Sequence, residues 1–272
     1  MRKTGTVRPC QVCGLFYPSD PRELEQMIDG FLVPSGEQGA RVRGLVAPHA
    51  GYLYSGKVAG TVYGRLLGST YNRVVIISPS HAEYFEGASV YDGEAYATPL
   101  GEVTVDQEFR RLLAEVDGVA VSRHGHGREH ALEVQIPFLQ RTIGAFLLTP
   151  VVIGHQSPEV CFALGKSLAE ITRHHDVLIV ASTDLSHFHP EGEAHQLDEK
   201  VMARIRAFDE TRLMEELERG DAEACGGGPV VALMTAMRAL GYSRSQVVAY
   251  ATSAETTGDR HEVVGYTGAV IA

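Results

Sequence analysis

Three short apolar runs in this chain each end by delivering a histidine, the kind of arrangement from which a metal or acid–base site is assembled. Val42 to Pro48 leads into His49, Val74 to Pro79 into His81, and Val177 to Ser182 into Asp184 and His187. Imidazole is the commonest metal ligand among side chains. With an unperturbed pKa of about 6.5 it also moves protons near neutral pH. A further donor, Cys225, stands in ACGGGPVVAL, ahead of three glycines and of Pro229, which can open a helix. Glycines there let backbone approach a ligand closely, and a helix N-terminus favours thiolate over thiol. A thiolate suits a soft or borderline metal. The same features also suit a nucleophilic cysteine, or a structural one beside a turn.

The elements that must position these residues follow from the pattern around them. Each apolar run is rich in Val and Ile and is stopped by Pro, Ser or Gly, which reads as a strand buried on both faces. Parallel neighbours would share one edge at their carboxyl ends, where open α/β sheets bind ligands. From residue 40 onward extended segments alternate with helical patterns, the signature of a layered α/β domain. The prediction is a single domain over residues 1–272, with a mixed, largely parallel central sheet and helices on both faces. Further strands are expected at 88–91, 145–153, 246–252 and 263–271. Helices are expected over 55–68, 106–116, 130–143, 157–173, 194–207, 209–219 and 229–240. Pro137 would kink or divide the helix over 130–143. The turn-rich stretches 80–105, 118–130 and 253–262 read as surface loops.

Within this frame Pro48 forbids helix just before His49, and Gly51 permits a tight path just after it. Pro79 and Ser80 do the same service for His81. Asp184 and His187, three apart in ASTDLSHFHP, share a face if that turn is helical, and Asp184 could fix the imidazole tautomer or cap a short helix. His189 reads as a solvent-facing neighbour. His126, Glu129 and His130 match an HxxEH zinc pattern, but Gly125 and Gly127 make the required helix poor. His130 and Glu133 read instead as polar walls of the crevice. Tyr54, with Tyr52, Tyr84 and Phe85, could flank a ring-shaped substrate.

Composition excludes several classes. Apolar residues make up 44% and charged residues 21% of the 272, an ordinary globular balance. Lys and Arg number 24 against 34 Asp and Glu, a net charge of −10 with no basic cluster, so nucleic acid is not an expected partner. The basic start has no apolar stretch behind it, so it is not read as a secretory signal, and no run approaches the ~20 residues of a membrane span. The expected location is cytoplasmic. Four cysteines are too few for a disulfide framework. Cys161 reads as a small buried apolar residue, and the isolated CxxC of Cys10 and Cys13 as carrying little.

Taken together, the segments GLFYPSDPRELEQMIDGF, APHAGYLYSG, SPSHAEYFEG, ATPLGEVTVD, EHALEVQIPFLQ, ASTDLSHF, CGGGPVVALMTAMRALG and GYTGAVIA resemble the MEMO family. That family is named for a mediator of ErbB2-driven cell motility, and it has bacterial and archaeal members. The resemblance spans nearly the whole chain in order. It implies a fold similar to the class III extradiol dioxygenases, which open catechol rings at non-haem iron. His49 and His81 then correspond to metal ligands and His187 to the acid–base histidine, with Asp184 and Cys225 lining the cleft. The implied cofactor is one transition-metal ion, iron first, with copper or zinc as alternatives. In prokaryotes the resemblance also implies association with a radical-SAM protein and an AMMECR-type protein. Where the dioxygenases complete their site with Glu, this chain offers Cys225, which softens the site and detaches the resemblance from catechol cleavage as such.

Three functions compete on these grounds. The first is a metal-dependent redox enzyme using His49, His81 and Cys225 as ligands, with His187, oriented by Asp184, moving protons. The second is a non-catalytic module holding a peptide or phosphotyrosine in the same cleft. The third is a hydrolase working through zinc-bound water or Cys225.

Overall fold

A computed structural model describes residues 6–34 and 41–272. Most of the basic start, residues 1–5, therefore lies outside the described residues. The chain opens with β1 (Val7–Arg8) and α1 (Pro21–Phe31), then runs through β2 (Gly44–Ala47) and α2 (Tyr52–Tyr63) to β3 (Arg73–Pro79). Next come β4 (Ala88–Tyr91), β5 (Ala95–Thr98), β6 (Gly101–Thr104), α3 (Gln107–Leu113) and β7 (Val119–Ser122). The middle of the chain forms α4 (Gln135–Ile143), β8 (Leu147–Ile153), α5 (Pro158–Thr172) and β9 (Val177–Ser182). It closes with β10 (His187–His189), α6 (Glu191–Ala207), α7 (Glu210–Glu218), α8 (Gly227–Ala239), β11 (Ser245–Thr252), α9 (Ala254–Thr257) and β12 (Val263–Ile271).

Among the described residues the main sheet has nine strands, in the order β10-β12-β2-β9-β3-β8-β4-β7, with β11 also paired to β12. At its centre β2, β9, β3 and β8 are all parallel, while β12 and β4 flank them antiparallel. One face buries Val75, Ile77, Val151 and Ile179 beneath Leu164 and Leu168 of α5 and Val230 and Leu233 of α8. The other buries Val74, Ile76, Leu148 and Val180 with Leu24 and Ile28 of α1, Val62 of α2 and Phe138 of α4. Covering on both faces is why these strands are continuous apolar runs rather than alternating ones. The molecule is thus a single-domain α/β fold.

Register decides where the chemistry falls. Ala47 lies opposite Ser182, and Ile77 opposite Ala181, so β2, β9 and β3 end level with one another. The residues that follow each strand emerge on one edge of the sheet. Among the described residues no helix is long and apolar enough to cross a membrane.

The structure departs from the sequence expectations at the periphery. β4 falls where a strand was expected, at 88–91, but the stretches around it and 118–130, read as loops, also contain β5, β6 and β7; among the described residues β1, β5 and β6 form a separate three-stranded sheet. These strands are two to four residues long, too short for a period-2 pattern to show. α1 is an unexpected helix with clear local causes. The Asp20 carboxylate accepts from the backbone N–H groups of Arg22 and Glu23, Pro21 occupies the first turn, and Leu24 and Ile28 point inward one turn apart. A cap of that kind contributes about 1 kcal/mol. α4 begins at Gln135, not 130, so Pro137 falls in its first turn, where its missing N–H costs nothing, and no kink results. Cys161 is fully buried as expected, whereas Cys10 and Cys13 are joined in a disulfide.

Candidate metal centre

His49 follows β2 and is buried, with 2% exposure. Its tautomer can be derived from its neighbours. The Ser182 hydroxyl lies 2.6 Å from the carbonyl of Ala131, which can only accept, so its proton goes there. Ser182 Oγ then accepts from Gln135 Nε2 at 2.8 Å and from His49 Nδ1–H at 2.9 Å. His49 is left with its Nε2 lone pair free, 3.1 Å from the Sγ of Cys225.

His81, in the loop after β3, joins this pair: one ligand atom each from His49, His81 and Cys225 lie within 4.8 Å of one another. The rings of His49 and His81 are 5.1 Å apart between centroids and nearly perpendicular. His130 completes a trio of imidazoles, 5.5 Å from His49 and 5.0 Å from His81. A second group of donors, His81, Glu129 and His130, also lies within 4.8 Å. Phe16, from the segment just after the disulfide, packs its ring 4.9 Å from that of His130.

Cys225 is carried by the turn before α8. Gly226 must be glycine, because a Cβ there would stand 2.1 Å from the carbonyl oxygen of Ser182 at the end of β9. This close approach brings the cysteine up to the sheet edge. The Cys225 N–H donates to the carbonyl of Asp184 at 3.2 Å, and the Asp184 N–H donates to Sγ at 3.3 Å.

The structure reassigns Asp184. Its side chain does not reach His187 but accepts the backbone N–H of His49 at 2.7 Å, and His187 Nδ1–H donates to the Leu185 carbonyl at 2.8 Å. The turn 183–186 is not helical, so the three-residue spacing never places the two side chains on one face, and no helix is capped. Asp184 therefore ties the His49 loop to the Cys225 turn. His187 and Cys225 line a groove of about 790 Å³ together with Tyr84, Met214, Glu218 and Glu223. His189 is not free in solvent but lies 2.9 Å from Glu223.

The expected walls of the cleft divide. His130 faces the imidazole cluster. Glu133 is completely buried elsewhere, where it pairs with Arg8 at 2.6 Å and accepts from Tyr17 Oη at 2.7 Å and from the N–H groups of Gln11 and Val12. It anchors the N-terminal segment and does not face a ligand. Tyr54 is 42% exposed in the first turn of α2 and does not line the groove. Tyr52 and Phe85 pack into the scaffold, leaving Tyr84 as the aromatic that lines the groove. The HxxEH pattern also comes apart, because His126 is buried against Tyr96 and Ser89 while Glu129 and His130 belong to the centre.

Electrostatics favour the neutral form at His49 and Cys225 but not at His81. Burial, then repulsion from His81, His130 and His187, holds the His49 pKa well below the ordinary value. Burial also lowers His130 and His187. On His81 burial works in the same direction but is outweighed by the hydrogen bond and charge of Glu129, so its pKa is raised. Burial, and then the charge of Asp184, push the Cys225 thiol up, contrary to the thiolate expected at a helix N-terminus. Burial likewise raises Asp184 to about 7, against the N–H groups of His49 and Ala50.

Sequence reasoning missed Ser182, Gln135 and Phe16. Nothing in their types marked them; only the level strand ends and the packing of the N-terminal segment bring them to the centre.

Comparison with known proteins identifies the family of the chain and a similar fold. The family model described as Memo-like protein matches residues 8–270. A MEMO1 family protein of Methanopyrus kandleri is 37% identical, with 95% of this chain and 96% of the relative covered. Another, from Methanothermobacter thermautotrophicus, is 35% identical over 96% of this chain and 98% of the relative. A third, from Aquifex aeolicus, is 35% identical over 97% and 98%. In fold, the chain is similar to the crystal structure of an uncharacterized protein from Escherichia coli K12, with a TM-score of 0.61 at 15% identity, covering 85% of this chain and all of that one. With a family model spanning nearly every residue and full-length relatives well above 30% identity, this chain belongs to the Memo-like protein family.

Proposed function

We propose that His49, His81 and Cys225 hold one transition-metal ion, iron foremost, with copper or zinc as alternatives. On this reading the protein carries out metal-dependent redox chemistry on an organic substrate in the adjoining groove. The observation that carries the reading is the gathering of two imidazoles and one thiol, from positions up to 176 residues apart, within 4.8 Å. Two nitrogens and one sulfur suit a borderline ion. A bound ion would supply Lewis acidity and a redox couple.

The chain's own groups supply the remainder. Ser182 holds His49 with Nε2 as the free donor, and the backbone of Asp184 holds Cys225. His187, tied by Nδ1 to Leu185, keeps Nε2 available at the groove to give or take a substrate proton. A phosphorylated ligand is the weaker reading, since among the described residues the charged side chains of the groove are Glu218 and Glu223 and no Lys or Arg lines it.

Metal analysis of anaerobically purified protein tests the proposal. We expect close to one ion per chain in the parent and loss of most of it in both His49→Ala and Cys225→Ala. Unchanged metal content in the two variants would overturn the ligand set. Parallel titration with catechol and phosphotyrosine separates an enzyme cleft from a phosphopeptide module.

A further inference from the structure

His49 is locked by its burial, but His81 is not. Its side chain is about one-third exposed, at 35%, on a loop beyond the strand end. What holds it is Glu129, which is itself 1% exposed. The two oxygens of Glu129 accept four N–H groups. Oε2 takes the backbone N–H of His81 at 2.5 Å; Oε1 takes the ring Nδ1–H of His81 at 3.0 Å and the backbone N–H groups of His130 at 2.9 Å and Ala131 at 2.8 Å. Among the described residues, Glu129 is the one hydrogen-bond partner recorded for the His81 ring.

We propose that Glu129 is a positioning residue: it binds both the backbone and the ring of His81, fixes the ring as the Nδ1–H tautomer, and so presents the Nε2 lone pair to the point shared with His49 and Cys225. The proposal deepens the metal-centre reading and rests on it for its functional meaning. A carboxylate behind a ligating imidazole sets ring orientation and raises ligand basicity, and losing such a partner typically costs about 10- to 100-fold in metal affinity. The same carboxylate binds the backbone of His130, whose ring then stacks on that of His81 at 5.0 Å and an interplanar angle of 26°. One buried acid thereby orders two of the three imidazoles.

The donor group His81, Glu129 and His130 has an alternative use as a second ion site. The hydrogen bonds argue against it. The glutamate oxygens are already occupied by four donors, and the Nδ1–H bond to Glu129 leaves His81 a single lone pair, on Nε2, which cannot serve two ions.

Imidazole tautomers read by long-range proton–nitrogen correlation in metal-free protein at alkaline pH test the proposal without any metal. In the parent, His81 and His49 should both show Nδ1–H. In Glu129→Ala, His81 should shift toward Nε2–H while His49, held by Ser182, stays unchanged and serves as the control for intact folding. Glu129→Leu, close in size but with no oxygen to accept from Nδ1–H, is the second variant if the alanine protein does not fold. Cobalt titration against a chelator should then show a 10- to 100-fold loss of affinity and an altered ligand-field spectrum. His81 retaining Nδ1–H in the variants, or two cobalt ions bound per parent chain, overturns the proposal. A parent that binds no cobalt while His81 still depends on Glu129 would sink the metal reading and leave the positioning of His81 standing.

Discussion

The Nε2 of His49 lies 3.1 Å from the Sγ of Cys225, although 176 residues separate them in the chain. The contact exists because β2 and β9 are parallel neighbours in register and α8 starts directly against the end of β9. Each part of that support can be removed separately.

Ser182→Ala deletes the acceptor that holds His49 Nδ1–H. Metal affinity should fall about 10- to 100-fold by chelator competition. Gln135 Nε2 and the Ala131 carbonyl also lose a partner, so a stability loss of about 1–3 kcal/mol should accompany it in chemical denaturation. Unchanged affinity would show that His49 does not need its tautomer fixed.

Gly226→Ala places a Cβ 2.1 Å from a strand carbonyl that cannot easily retreat. The turn carrying Cys225 must move, at a cost of about 1–3 kcal/mol. Thermal melts should drop and metal retention should drop with them, whereas Gly192→Ala, with nothing within 4 Å, should leave both unchanged.

Arg8→Met leaves the buried Glu133 carboxylate without its cation. Breaking a buried pair in this way costs about 3–5 kcal/mol. Because Glu133 holds the segment that carries Phe16 onto His130, limited proteolysis should cut the N-terminal segment sooner than in the parent. Equal cutting rates would deny Glu133 the anchoring role.

His126 predicts an acid limb of stability. Burial is the main cause of its depression to about 3, the neutral ring accepting from Tyr96 Oη at Nδ1 and donating Nε2–H to the Ser89 carbonyl. The unfolded chain takes up the proton near pH 6.5, before the folded one does, so this contribution is complete above that pH and is lost as pH falls toward 3. Between pH 6.5 and 5 the loss from this group is about 2 kcal/mol. The melting-temperature gap between the parent and His126→Gln should narrow over that interval, and a constant gap would remove His126 from the account.

Much of the centre was legible because the sheet core is covered on both faces. The strand at 177–182 shows as an unbroken apolar run and that at 263–271 as a glycine-broken run of β composition, and the punctuation after the former marks where side chains emerge. His49, His81 and Cys225 could be named from that pattern together with the family resemblance. Asp184 was harder. Its spacing from His187 implied a shared helical face, but the backbone there is not helical, and the side chain turns toward His49. Glu133 and Glu129 lie four residues apart in one polar stretch, and nothing local distinguishes the residue that anchors Arg8 from the one that anchors His81.

The amino-acid sequence by itself determined the layered α/β order, the two-sided burial of the central strands and the residue types delivered at their ends, because periodicity and punctuation are local properties of the chain. Tertiary structure alone decided which donors share a point, which carboxylate backs which imidazole and which nitrogen of His49 is free. Those outcomes depend on strand register and on hydrogen bonds between residues some 50 to 180 positions apart, and no local pattern encodes them.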